Sequence, residues 1–132
     1  MTTFAVFYIL SGQQYIDEAR LSSASVKRHM PHVRRILFTP DQNVWNGIDF
    51  DAIYHLPNRM SEDWYTDSIR YLAFALSYLP EYLIWLDSDI YCCMPFDEMF
   101  DLLGRFDLAG VHAPGRITGG VIGDIPACFP EL

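Results

Sequence analysis

Tyr82-Leu83-Ile84-Trp85-Leu86-Asp87-Ser88-Asp89 is an apolar run that ends abruptly in two carboxylates. A short apolar run of this kind, free of polar alternation, is the pattern of a strand buried on both faces of a parallel sheet. The sequence before it reads as a helix over Trp64–Leu79. Ile69, Leu72, Ala73, Leu76 and Leu79 recur at spacings of three and four, and Pro80 lies just beyond. After it, Phe96–Phe106 reads as a short helix with Asp97 and Glu98 in its first turn, where the helix dipole favours acids. Asp107–His112 reads as a last short strand.

Working back to the N-terminus, Phe4–Leu10 is a second continuous apolar run and a second buried strand. Gln14–Met30 follows as a helix, with Ile16, Ala19, Ala24, Val26 and Met30 as its stripe and Pro31 as its stop. Val33–Thr39 is a strand closed by Pro40-Asp41. Asn46-Gly47 signals a turn, and Ala52–Leu56 is a strand closed by Pro57. The order β-α-β-β-α-β-α-β defines an α/β protein: a mostly parallel, Rossmann-like sheet with helices on both faces. Ligands of such sheets bind beyond the carboxyl ends of the strands, where the strand order reverses. That singles out Leu10-Ser11-Gly12 and Asp87-Ser88-Asp89. The α/β domain is expected over residues 1–112. Residues 113–132, with Gly115, Gly119, Gly120, Pro126 and Pro130, read as a loop-rich tail leading toward a missing second half.

Composition narrows the function classes. Apolar residues make up 51% of the 132, enough for a packed core, which excludes a disordered chain. A formal charge of −8 argues against a generic nucleic-acid or anionic-membrane binder. No apolar run is long enough to span a membrane, and the apolar N-terminus has no basic segment ahead of it and no cleavage-site pattern after it. Cys92, Cys93 and Cys128 form no metal-binding or disulfide spacing, so reduced thiols and a cytoplasmic location are expected. Arg20, Lys27, Arg28, Arg34 and Arg35 read as a solvated edge between helix and strand rather than a phosphate patch. His29 and His32 are separated by Pro31 and read as surface histidines, not ligands.

Acids at positions i and i+2 of an extended segment point the same way. At the end of a buried strand, Asp87 and Asp89 would repel and desolvate each other unless a cation compensated them. A hard divalent ion, Mn²⁺ or Mg²⁺, held by one or two carboxylates and substrate phosphates fits. It would also let an acidic protein hold an anionic diphosphate.

At these residues the sequence resembles the GT-A nucleotide-diphospho-sugar glycosyltransferases, most closely the family 8 type (glycogenin-like enzymes and lipopolysaccharide galactosyl- and glucosyltransferases). Leu83-Ile84-Trp85-Leu86-Asp87-Ser88-Asp89 looks like their DxD segment. Phe4–Leu10 with Ser11-Gly12-Gln13-Gln14-Tyr15 is similar to their first strand and nucleotide-binding loop. Arg70, 17 residues before Asp87, stands where they carry a donor-binding arginine. The likeness spans residues 3–112. It implies a UDP-hexose donor, a divalent metal on Asp87 and Asp89, and donor contacts from Leu10, Ser11, Gly12, Gln13, Tyr15, Arg70 and Ser88. The acceptor would be a carbohydrate or glycolipid. Read from the residues alone, Tyr15 equally packs the start of the first helix, and Arg70 equally pairs with Asp67 one turn away. Two departures stand out. The loop after the first strand is Ser-Gly-Gln-Gln where the family has acids, and the chain is shorter than family members, whose second half brings acceptor-site residues and a further metal ligand. No catalytic residue is assigned, and retention or inversion stays open. The alternatives are a non-catalytic nucleotide-sugar-binding or interaction module, with a second copy covering an unfinished sheet edge, and a haloacid-dehalogenase-like phosphatase. The latter usually carries its acids after the first core strand.

Overall fold

The computed structural model describes residues 3–41, 43–45, 47–55, 64–79 and 81–107. The chain divides into two units, Met1–Asp101 and Leu102–Leu132. The first unit is a four-stranded, all-parallel sheet in the order β3-β2-β1-β4. Its strands are β1 (Phe4–Ile9), β2 (Arg34–Thr39), β3 (Ala52–His55) and β4 (Tyr82–Trp85). The helices are α1 (Ile16–His29), preceded by a 3₁₀ turn at Gln13–Tyr15, then α2 (Trp64–Tyr78) and α3 (Glu98–Asp101). In the second unit, Leu102–Gly104 forms a 3₁₀ turn. The strand expected at Asp107–His112 lies outside the described residues except for Asp107, as does the tail at 113–132. The helix expected over Phe96–Phe106 is only the single turn of α3 followed by that 3₁₀ turn.

β1 occupies the centre, with β2 and β4 on its two sides, which explains its unbroken apolar run: Ala5, Val6 and Tyr8 are fully buried. Alternation along the strands divides the core. Ala5, Phe7 and Ile9 join Ile36 and Phe38 on one face, where Tyr71 and Ala75 of α2 cover them. On the opposite face, the Tyr8 hydroxyl meets the Ser22 hydroxyl of α1 at 2.7 Å. Helices therefore lie on both faces.

Each long helix turns a different side inward from the one its apolar stripe suggested. In α2, Ile69 and Leu76 of the expected stripe are 63% and 65% exposed, while Asp67, Ser68, Tyr71 and Ala75 are buried. Aromatic area decides this: Phe74 sets its ring edge-on to Phe38 at 6.0 Å and tilted against Tyr54 at 6.4 Å. In α1, Ala24 is exposed, and Ser22, Ser23 and Ser25 join Ala19 and Val26 in the buried face. The hydroxyls are satisfied: Ser25 Oγ donates to the Ser22 carbonyl (2.6 Å) and accepts from the Cys92 N–H (2.8 Å). That removes the cost of burying them.

The basic cluster is not a solvated edge. The Arg35 side chain is 4% exposed and donates to Ser23 Oγ, the Asp49 carbonyl and the Asp51 carboxylate. It ties α1, β2 and the return loop to β3 together. Lys27 pairs with Asp49 at 3.0 Å, and Arg34 pairs with the buried Glu81 carboxylate.

β1→β2→β3 runs in one direction across the sheet, and β4 is then added on the other side of β1. The order reverses between β1 and β4, whose carboxyl ends carry the two segments singled out above.

Candidate functional site

Beyond β1, the Leu10 N–H still belongs to the sheet, donating to the Phe38 carbonyl at 3.0 Å. Leu10 is buried, so its N–H is not available to a nucleoside, against expectation. The chain then turns at Gly12, whose φ of +100° strongly favours glycine. The Gly12 N–H donates to Asp41 Oδ2 at 2.6 Å, so it too is occupied. Asp41 comes from the end of β2, and its own N–H is held by Thr39 Oγ1 at 3.1 Å. The Tyr15 N–H reaches the Gly12 carbonyl (3.3 Å) and closes the 3₁₀ turn. Ser11 is half-buried, Gln13 is exposed, and the Tyr15 ring is 39% exposed rather than packed away. The loop thus contains an acid after all, delivered by β2. With Asp17 and Glu18 in the first turn of α1, this end of the helix is already supplied with negative charge.

Beyond β4, the Leu86 N–H makes a last sheet bond to the Phe7 carbonyl (3.0 Å). The Ile90 N–H then returns to the Asp87 carbonyl at 3.2 Å, so Asp87-Ser88-Asp89-Ile90 is a turn. The extended geometry expected for the two acids is therefore not formed. Nor is β4 a buried strand: it is the sheet edge among the described residues, with Tyr82 and Trp85 exposed. Asp87 and Asp89 are exposed and flank the buried Ser88. Neither carboxylate has a hydrogen bond or ion pair among the described residues. Ser88 Oγ donates to Glu18 Oε2 of α1 at 2.8 Å. An open cleft of about 230 Å³ adjoins this contact, bounded by Glu18, Leu21 and Ser22 on α1 and by Ser88–Tyr91.

Sequence reasoning missed Glu18 and Asp41. Each is an acid within a few residues of a candidate segment or strand end, but nothing in the linear order ties Glu18 to Ser88 or Asp41 to Gly12. Arg70 lies 3.6 Å from Asp67 across one helical turn, so the local pair is formed, and its guanidinium is 45% exposed. The Trp64 and Tyr65 side chains lie outside the described residues. His32 sits 2.5 Å from Asp97, and Cys92 and Cys93 are free thiols. Burial pushes the Cys92 thiol up.

Among the described residues, no group of three or more His, Cys, Asp or Glu side chains is placed to hold a metal ion. The donor set at the β4 turn is two accessible carboxylates with no internal cation. This fits a hard divalent ion that takes one or two protein carboxylates and fills its remaining positions with water and phosphate oxygens. No helix among the described residues is long and apolar enough to cross a membrane. No protein-family model matches the chain, and no curated protein matches its sequence.

Proposed function

We propose that this chain is the donor-binding part of a glycosyltransferase, taking a UDP-hexose at the carboxyl edge between β1 and β4 for transfer to a carbohydrate or glycolipid acceptor. One observation carries the reading. Two accessible carboxylates without internal partners, Asp87 and Asp89, stand on a turn at the point where the strand order reverses, next to the Gly12 loop.

The two ends of the donor call for different chemistry, and the site is divided accordingly. At the β4 end, Asp87 and Asp89 would hold Mn²⁺ or Mg²⁺. When bound, such an ion supplies Lewis-acid stabilisation of charge on a diphosphate leaving group. At the β1 end, Tyr15 offers an accessible ring on which a base can stack, and Ser11 and Gln13 offer polar side chains beside it. Arg70 keeps N–H donors that the single contact with Asp67 leaves unused, and these suit a phosphate oxygen. Ser88 acts inward, through Glu18, and holds the turn rather than the donor.

Calorimetric titration of UDP into the protein tests the reading. Heat of binding is expected with Mn²⁺ and not with a chelator, and Asp87→Asn with Asp89→Asn should abolish it. Binding that ignores the double substitution would sink the proposal.

A further inference from the structure

Resting on the donor-site reading above, we infer that Asp41 selects the nucleoside. One carboxylate oxygen holds the Gly12 loop, and the other accepts a hydrogen bond from the base imide or a ribose hydroxyl. Oδ2 is committed to the Gly12 N–H at 2.6 Å, a short contact typical of a charge-assisted bond. Oδ1 has no partner among the described residues, and Asp41 is half-buried rather than free in solvent. Its backbone is fixed by the N–H bond to Thr39 Oγ1, a side chain on a fully buried residue.

The chemistry of the remaining oxygen limits what it can bind. A carboxylate only accepts, so its partner must bring an N–H or O–H. Phosphate brings neither, and a phosphate here would meet Asp41 together with Asp17 and Glu18 in the first turn of α1. The loop is therefore built for the neutral end of a nucleotide, while the charged end falls to the Asp87-Ser88-Asp89 turn. Tyr15 belongs to the same loop, since its N–H closes onto the Gly12 carbonyl. A base on that ring and a donor group on Asp41 would be recognised by one small unit. A uracil imide and a ribose diol both satisfy this chemistry.

The test compares UDP, CDP and 2′-deoxy-UDP, each titrated with Mn²⁺ into the native protein and into Asp41→Asn. The asparagine oxygen can still accept from the Gly12 N–H, so the loop is kept while the second oxygen becomes a donor. The native protein should prefer UDP over CDP if the imide is read, because cytosine has an acceptor at that position. It should prefer UDP over the deoxy analogue if the ribose is read. In Asp41→Asn, UDP affinity should fall by roughly tenfold to a hundredfold and the matching preference should collapse. Equal affinities for all three ligands in the native protein, or a preference that survives Asp41→Asn, would overturn the role of Asp41 alone. A native protein that binds none of the three would overturn the donor-site reading and this inference with it.

Discussion

The Ser88 hydroxyl donates a 2.8 Å hydrogen bond to the Glu18 carboxylate, joining the turn after β4 to the first turn of α1 across 70 residues of sequence. Ser88 is buried and Glu18 is exposed, so the bond is anchored on one side and reached from solvent on the other. Through it, the segment bearing Asp87 and Asp89 is held against the helix that continues the Gly12 loop. In a double-mutant cycle of Ser88→Ala and Glu18→Ala, urea denaturation should give a coupling of about 1 kcal/mol. Additive losses would mean that the two residues act separately.

Asp87 and Asp89 contribute nothing that holds the fold together, since neither has an internal partner. The Asp87→Asn, Asp89→Asn protein should keep its stability to within about 0.5 kcal/mol while losing metal-dependent nucleotide binding. Thermal melts beside the calorimetry separate the two properties. A large loss of stability would assign the acids a structural role.

Tyr8 is fully buried, and burial pushes its phenol up to about 12, against the opposing influence of the Ser22 hydroxyl. A raised value means that the folded state keeps the proton longer than the unfolded chain does. Stability is therefore intact below the unfolded value of 10.0 and is lost as pH rises toward 12. The loss should amount to roughly 2–3 kcal/mol over that interval. Tyr8→Phe should remove this step in urea titrations taken from pH 9 to 12.

Arg35 joins Ser23, Asp49 and Asp51 from the interior, so Arg35→Met should cost about 2–4 kcal/mol by stranding its partners. The accompanying pH effect is separate. The hydrogen bond from Lys27, then those from Arg35, hold the Asp49 carboxyl below its usual value of 3.8. Its contribution is present above that value and fades as pH falls through the lowered one. Because Asp49 is exposed, the effect is small and screened by salt. Lys27→Met, or 1 M salt, should flatten the acid limb of stability between pH 4 and 2, measured by urea denaturation.

The alternation of apolar runs and helical stripes determined, from sequence alone, an α/β protein with a parallel sheet and the two strand ends that matter. Phe4–Ile9 and Tyr82–Trp85 are strands because their runs are short, apolar and rich in β-branched or aromatic residues. Period and propensity are local properties, and they remain legible without knowing what packs where. Three things were decided only by tertiary structure. The sheet order placed β4 at an edge, which left Asp87 and Asp89 accessible where a buried strand had been expected. Aromatic contact between Phe74 and Phe38 rotated α2 so that Ile69 and Leu76 face out. Long-range hydrogen bonds then brought Asp41 to Gly12 and Glu18 to Ser88. A carboxylate's partner is set by distance in space, so neither acid could be assigned until the strands that carry their partners had been ordered in the sheet.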